Sequence, residues 1–153
     1  MSTIKTRRAA HADLDAIAPL YDAYRQFYEK PADPALARRF LDERFARNES
    51  TIFVAEDAGG TIVGFTQLYP LFCSVAAERI YVLYDLFVTP PARGTGAGRA
   101  LMEAAEAFGR QSGAARLFLQ TAKTNVVGQT LYESCGWLRD NDFYVYEKSL
   151  ASS

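Results

Sequence analysis

The chain has 153 residues, of which 49% are hydrophobic and 23% charged, and its formal net charge at pH 7 is −1. This composition is typical of a globular protein, and the length predicts a single domain over residues 1–153. The balanced charge gives no reason to expect nucleic-acid binding, and no apolar stretch suits a signal peptide or membrane span, so we expect a cytoplasmic protein without those partners. The two cysteines and single histidine lack the spacing of metal ligands, which predicts no metal.

The first half of the chain is predicted to form a strand, two helices and a hairpin. Alternation of apolar and polar residues predicts a short edge strand, and apolar residues at three- and four-residue steps predict the helices. A glycine-containing turn separates the two strands of the hairpin. The predicted elements are Thr3–Arg8, Ala10–Gln26, Pro34–Arg47, Thr51–Glu56 and Thr61–Tyr69.

The second half is predicted to begin with an irregular bridge, Pro70–Ala77, before a long apolar strand. Helices and strands then alternate, and the last strand is apolar on both faces. The predicted elements are Arg79–Thr89, Ala97–Gln111, Leu117–Thr121, Val126–Cys135 and Asp142–Lys148. The order β-α-α-β-β-β-α-β-α-β predicts an α/β (α+β) fold, a mixed sheet with helices on its faces.

A glycine-rich run, Arg93–Arg99, lies between the long strand and the helix that follows it. The first amides of a helix are unpaired donors at the positive end of the helix dipole, so an anion can bind there. Glycine lets the backbone approach a phosphate closely, and the two arginines add positive charge. The run therefore predicts a pyrophosphate site, although a strand-to-helix turn without a ligand has the same pattern.

Two well-known phosphate motifs do not match this run. A Walker loop needs a lysine directly after Gly98, and a dinucleotide fingerprint needs a third glycine where Arg99 stands and an acidic residue near Leu117–Thr121. What remains is Arg-x-x-Gly-x-Gly from Arg93 to Gly98. This motif resembles the acyl-CoA pyrophosphate loop of the GNAT N-acetyltransferase superfamily.

Two further segments carry the same resemblance. Residues 125–137 are similar to the GNAT pattern in which Asn125 precedes Tyr132 by seven residues and a glycine-aromatic pair follows, here Gly136 with Trp137 in place of the usual Phe. The segment Tyr84–Val88 looks like the fourth strand of that family. With three motifs in order, the chain is identified as a GNAT member over residues 3–148. The resemblance implies the GNAT fold, with a mostly antiparallel mixed sheet, and acetyl-CoA as cosubstrate.

The resemblance also implies how acetyl-CoA binds. Backbone groups of the fourth strand would hydrogen-bond the pantetheine as an added strand does, and the loop amides would hold the pyrophosphate. Asn125 would contact the pantetheine, or it only caps its helix. The implied cofactor-binding residues are Leu86, Phe87, Val88, Arg93, Gly94, Thr95, Gly96, Ala97, Gly98, Arg99, Asn125 and Tyr132.

Two residues are predicted to be catalytic. The resemblance places Tyr132 opposite the CoA sulfur, where a phenol with an ordinary pKa of about 10 stays protonated and can protonate the leaving thiolate. A packed helix tyrosine is the alternative. Asp85 lies in a strand that reads as buried on both faces, so it either binds an internal cation such as an arginine or helps to deprotonate the incoming ammonium. This strand also resembles that of polyamine acetyltransferases, which carry a glutamate where Tyr84 stands. The absence of that acid makes a polyamine acceptor less favoured and leaves the general base unidentified.

The acceptor site is predicted from aromatic residues in the least regular segments, although aromatics at helical spacing also occur in cores. The predicted substrate-binding residues are Tyr24, Phe27, Tyr28 and Tyr84. We expect an enzyme that transfers acetyl from acetyl-CoA to a primary amine by direct attack in a ternary complex, with a small-molecule amine as acceptor. The alternatives are a protein lysine or N-terminal acetyltransferase and a non-catalytic CoA-binding sensor. The apolar last strand predicts a homodimer that covers it.

Overall fold

The structure, a computed structural model, describes residues 3–151. The strands in that range are β1 (Lys5–Arg8), β2 (Thr51–Glu56), β3 (Ile62–Cys73), β4 (Glu78–Val88) and β5 (Leu117–Phe118). The helices are α1 (Leu14–Phe27), α2 (Pro34–Ala46), α3 (Ala97–Gln111) and α4 (Val126–Ser134). The chain divides into a larger compact unit that ends at Gln120 and a smaller one that begins at Thr121, so the single-domain organisation stays a prediction.

The larger unit contains one sheet with the strand order β1-β2-β3-β4-β5. The first three pairs are antiparallel and β4 pairs with β5 in parallel, which confirms the mixed, mostly antiparallel sheet. Neighbouring residues of a strand point to opposite faces. Accordingly, Val54 and Phe87 pack with α1 and α2 in one cluster, while Ala55 packs with Ala97 and Leu101 of α3 in another.

A β-bulge in β4 changes which face its side chains meet. Asp85 pairs with Gln67 and Leu83 pairs with the next residue, Leu68, so Tyr84 is an extra residue without a partner in β3. Before the bulge, the ring of Tyr81 lies 5.0 Å from that of Phe108 in α3. After it, the odd-numbered residues point toward α1, as Phe87 in the α1/α2 cluster shows. The bulge therefore turns Asp85 toward α1.

The predicted bridge Pro70–Ala77 is wrong in its first part, because β3 continues as far as Cys73. The pairing of β2 with β3 ends at Leu68, opposite Thr51, so among residues 3–151 β3 pairs beyond that point with β4 alone. Proline has no N–H to donate and is tolerated on such a free strand edge. A proline that reads as a strand breaker in sequence is thus compatible with the strand.

The predicted last strand, Asp142–Lys148, is wrong, and the predicted strand Leu117–Thr121 is shortened to β5. A strand needs a partner for its backbone hydrogen bonds, and within residues 3–151 none pairs with the segment after α4. Its large side chains, Phe143, Tyr144, Val145 and Tyr146, are 65–92% exposed. The predicted order of elements is confirmed from β1 to α4.

Among the described residues, no helix is long and apolar enough to cross a membrane. No group of three or more His, Cys, Asp and Glu side chains in this part of the chain could hold a metal ion.

Candidate functional site

The loop between β4 and α3 has the backbone that its glycines predict. A 3₁₀ turn, Pro90–Ala92, leads into it, and Gly94 and Gly96 have φ angles of 81° and 92°, in the left-handed region that favours glycine. A Cβ atom on Gly94 would meet no atom within 4 Å. The loop thus presents an open backbone surface immediately before the first turn of α3.

The N-terminus of α3 lacks the side-chain cap that two other helices have. Asp33 accepts a hydrogen bond from the N-terminal turn of α2, and Asn125 does the same in α4. Among the described residues no side chain caps α3 at Gly96, and its first turn contains Arg99 but no acidic residue. A positive charge near a helix N-terminus is unfavourable, because that end of the helix dipole is already positive. An arginine in the first turn of a helix without a side-chain cap is therefore better suited to binding an anion than to a turn without a ligand.

Arg93 connects the loop to the end of β4. Its Nε donates to the carbonyl oxygen of Val88 at 3.0 Å, and its guanidinium carbon lies 5.6 Å from the centre of the Phe87 ring. The charge that the sequence predicts at the edge of the loop is therefore held by two contacts with β4.

The edge of β4 that faces β5 is paired over only two residues, Tyr81 and Val82. From Leu83 to Val88 no strand of the described chain pairs with that edge. Leu86 and Val88 pack toward α3 there, whereas Phe87 belongs to the α1/α2 cluster. An unpaired strand edge offers backbone donors and acceptors to an extended ligand, as the predicted pantetheine contact requires.

Asp85 is 2% exposed and has no ion-pair partner among the described residues, so the predicted arginine partner is wrong. Gln67 Nε2 donates to its carboxylate, and Thr66 Oγ1 donates to its backbone oxygen at 2.8 Å. Burial raises the pKa of Asp85 from its ordinary 3.8 to about 6, and the hydrogen bonds with Gln67 and Tyr24 oppose the rise. This pKa is suited to accepting a proton near neutral pH.

Three of the four predicted substrate-binding residues, Tyr24, Phe27 and Tyr28, have successive ring centres 5.1 and 5.2 Å apart, and the ring of the fourth, Tyr84, lies 5.7 Å from that of Tyr69. The Tyr24 hydroxyl joins the two sets by donating to the carbonyl oxygen of Tyr84 at 2.9 Å. Phe27, Tyr28 and Tyr84 are 40–62% exposed, and because Tyr84 belongs to β4, that strand is not buried on both faces as predicted. Burial raises the pKa of the Tyr24 and Tyr69 hydroxyls, which keeps them protonated. We call this group the aromatic surface: Tyr24, Phe27, Tyr28, Tyr69 and Tyr84.

In the smaller unit, Asn125 is the N-cap of α4. Its Oδ1 accepts from Gly128 N at 3.1 Å, and its Nδ2 donates to Thr121 Oγ1 at 2.9 Å. A Cβ on Gly128 would lie 2.5 Å from that Nδ2, which explains the small residue three positions after the asparagine. The capping role is confirmed, and a cofactor contact of Asn125 stays a prediction.

The spacing from Tyr132 to Trp137 is that of a Schellman motif at the end of α4. Trp137 N donates to Tyr132 O at 3.1 Å, Gly136 N donates to Glu133 O at 3.0 Å, and Gly136 has a φ of 89°. The rings of Tyr132 and Trp137 lie 6.4 Å apart. The motif therefore fixes the backbone and the ring environment of the tyrosine that we predict to be the general acid.

Sequence reasoning missed Gln67 and Thr66, the two residues that bond Asp85 from β3. The available signal was a pair of neighbouring polar residues inside an otherwise apolar strand. Only the register of β3 against β4 shows that this pair lies opposite Leu86 and Asp85, the one buried acidic residue of β4.

Comparisons with known proteins agree with this geometry. The sequence profile of the Acetyltransferase (GNAT) family matches residues 17–137. The N-acetyltransferase YhfO of Bacillus subtilis strain 168 is 46% identical over 140 residues, 92% of this chain and 93% of the relative. Streptothricin acetyltransferase of Streptomyces lavendulae is 33% identical over 118 residues, 71% of this chain and 60% of the relative. A crystal structure of a probable acetyltransferase is 33% identical with a TM-score of 0.91, and the match covers 97% of this chain and 99% of that one. The chain belongs to the GNAT family of acetyltransferases.

Proposed function

We propose that this N-acetyltransferase moves an acetyl group from acetyl-CoA to the primary amine of a small molecule by direct attack in a ternary complex. GNAT acetyltransferases use acetyl-CoA. The observation that carries the rest is the buried carboxyl of Asp85, tuned to accept a proton, beside an exposed aromatic surface and an open edge of the same strand.

Acetyl-CoA would occupy the loop and the open edge of β4. The amides from Gly94 to Arg99 would hold the pyrophosphate, with Arg93 adding charge, and the backbone of Leu86 to Val88 would hydrogen-bond the pantetheine. The N-terminus of α3, which has no side-chain cap, and the edge of β4, which has no strand partner from Leu83 to Val88 among the described residues, support this assignment.

The reaction removes two protons from the acceptor ammonium and supplies one to the leaving thiolate. The acceptor ammonium first loses a proton, for which Asp85 is the proposed base, reached through the Tyr24 hydroxyl or water. The amine nitrogen then forms a bond to the acetyl carbon, the bond between that carbon and sulfur breaks, and the nitrogen releases its second proton to solvent to give the amide. Tyr132 would donate its phenolic proton to the leaving thiolate and regain one from solvent.

The aromatic surface supports an acceptor with one amine and an apolar body. Aromatic faces bind apolar and cationic groups, and three of the five rings are exposed to a ligand. The related streptothricin acetyltransferase is named for a small-molecule acceptor, which favours this class over a protein lysine or N-terminus.

Acetyl-CoA is expected to raise the melting temperature more than NAD or ATP at equal concentration, because a ligand that binds only the folded state stabilises it by mass action. A thermal-shift assay compares the three ligands. A screen of small amines and lysine peptides with free-thiol detection then identifies the acceptor. Stronger stabilisation by NAD would contradict the site, and thiol release with peptides alone would contradict the small-molecule acceptor.

Gly96→Ala is expected to weaken acetyl-CoA binding about tenfold or more, because the new methyl group and the strained backbone disturb the phosphate cradle. Gly113→Ala is a matched control, since Gly113 follows the other end of α3 with a φ of 72°. Both variants should lose similar stability from the left-handed backbone. Calorimetry and urea unfolding measure the two effects; equal affinity in both variants would show that the loop is only a turn.

We propose that the protein is a cytoplasmic homodimer. The exposed aromatic and aliphatic residues between Phe143 and Tyr146 support self-association, because a second copy that covers them removes apolar surface from water.

A further inference from the structure

Gln67 is a fully buried polar residue in the middle of β3, directly opposite Asp85 in the sheet. Its Nε2 donates to Asp85 Oδ2, while its Oε1 is buried without a hydrogen-bond partner among the described residues. The amide nitrogen is therefore hydrogen-bonded, and the amide oxygen is not.

A buried side chain that served only for packing would not be expected to carry an amide with an unpaired oxygen. An unpaired buried carbonyl oxygen destabilises a fold, whereas methionine has a similar length and no group to satisfy. Neighbouring core positions of the same strand, Phe65 and Leu68, are apolar. The amide of Gln67 is thus explained by the one contact that it makes, with the carboxylate of Asp85.

We propose that Gln67 is a positioning residue that fixes the carboxylate of Asp85 and determines which of its oxygens takes up the proton. The amide N–H₂ group can only donate, so it bonds an oxygen that carries no proton. Because Gln67 occupies Oδ2, Oδ1 is the atom that accepts the proton.

The hydroxyl of Tyr24 completes the arrangement. It has a single proton, which in this structure it donates to the Tyr84 carbonyl oxygen at 2.9 Å. When the hydroxyl turns toward the ionised carboxylate instead, its hydrogen bond lowers the pKa of Asp85. Once Asp85 is protonated, its O–H can donate to the Tyr24 oxygen without disturbing the bond from Tyr24 to the Tyr84 carbonyl. Gln67 thereby keeps the acidic proton on the side of Asp85 that can exchange with Tyr24.

Other titratable and charged groups lie near Asp85. Tyrosines of α1 and β3 interact with it, and a tyrosine of its own strand and two arginines act on those tyrosines. They are Tyr21, Tyr24, Tyr69, Tyr84, Arg25 and Arg44. Gln67 is the neighbour whose side-chain amide donates directly to the carboxylate.

The role of Gln67 in the rate rests on the proposed function, and the test uses the pH dependence of kcat/KM with the best amine acceptor. The acidic limb of the wild-type profile is expected near pH 6. Gln67→Met removes the amide donor, and Gln67→Asn keeps it on a side chain too short to contact Asp85. In both variants the acidic limb should move to higher pH by about one to two units, because the ionised carboxylate loses its hydrogen bond. Activity well above the limb should recover most of its wild-type value.

Thr66→Val is the matched control. Thr66 is equally buried and adjacent, but its hydroxyl bonds the backbone oxygen of Asp85 and not the carboxylate. This variant should lose stability without moving the limb. A limb at the wild-type pH in both Gln67 variants, or an equal movement in Thr66→Val, would overturn the proposal.

A second readout does not depend on catalysis. The free energy of unfolding of the wild type should fall as the pH rises through the pKa of Asp85, and in both Gln67 variants that fall should extend to higher pH. If the rate limb is also present in Asp85→Asn, the proposed base is wrong. In that case an extended fall in the unfolding curves would still support Gln67 as the residue that holds Asp85, and an unchanged curve would refute it.

Discussion

Tyr132→Phe is expected to lower turnover by about 10²–10⁴-fold, or somewhat less if water partly replaces the phenol, while acetyl-CoA affinity stays nearly unchanged. The substitution deletes one hydroxyl group and keeps the ring that lies 6.4 Å from Trp137. Packing at the end of α4 therefore survives, but protonation of the leaving thiolate does not. Steady-state rates with the acceptor from the amine screen, together with calorimetry of acetyl-CoA binding, measure the two effects.

The pH profile separates this role from a structural one. The phenol must be protonated to donate, so the wild-type rate should fall at high pH and the phenylalanine variant should lack that limb. Tyr146→Phe is a suitable control, because Tyr146 is exposed and also lies in the smaller unit. Wild-type turnover in Tyr132→Phe would remove the residue from the mechanism and favour the non-catalytic CoA-binding sensor.

Asp85→Asn is expected to lower kcat/KM by about 10²–10⁴-fold and to abolish the acidic limb near pH 6. An amide has nearly the same shape as the carboxylate but cannot accept the proton of the ammonium. The loss should be smaller with acceptors of low amine pKa, which are already deprotonated at the assay pH. Equal losses with all acceptors would argue against a role as base.

The same substitution should change how stability depends on pH. The folded pKa of about 6 lies above the ordinary 3.8, so the stability linked to Asp85 is present below pH 4 and is lost as the pH rises through 6. The difference corresponds to roughly 3 kcal/mol at pH 8. Urea unfolding between pH 4 and 8 should show this fall in the wild type and a flatter curve in Asp85→Asn. Parallel curves would mean that Asp85 is not protonated in the folded protein near pH 6.

Local signals in the sequence were sufficient for most of the elements. The predicted bounds of β2 and α3 agree with the structure, because both are delimited by turn residues or glycines and carry a clear apolar period. The errors lie in segments whose secondary structure depends on a pairing partner elsewhere in the chain. Pro70 is tolerated in β3 because β2 has already ended, and the alternating segment after α4 forms no strand because nothing in the described chain pairs with it.

The position of the candidate loop was predictable from the sequence, but the contacts of the site were not. The loop glycines lie between β4 and α3 as their spacing predicts, whereas Tyr24 and Phe27 lie in α1 and Tyr84 in β4 rather than in irregular segments, and the roles of all these residues stay predictions. The partners of Asp85 could not be predicted, because they depend on the register of β3 against β4 and on the extra residue at Tyr84. Without the bulge, simple alternation from Tyr81 would have directed Asp85 toward α3 and away from Tyr24.

The bulge also matters for altering the acceptor preference of this enzyme, because at Tyr84 it separates the role of the side chain from that of the backbone. The side chain of Tyr84 is largely exposed, and its backbone carbonyl, not its ring, receives the hydrogen bond of Tyr24. A library that randomises the side chain at this position therefore leaves the strand and Asp85 in place. Deletion of the residue would leave Asp85 opposite Gln67 and on the same face, because Leu83 and Asp85 would then alternate regularly, but it would remove the carbonyl oxygen that accepts the hydrogen bond of Tyr24. At this position the backbone carbonyl matters more to the site than the side chain that it carries.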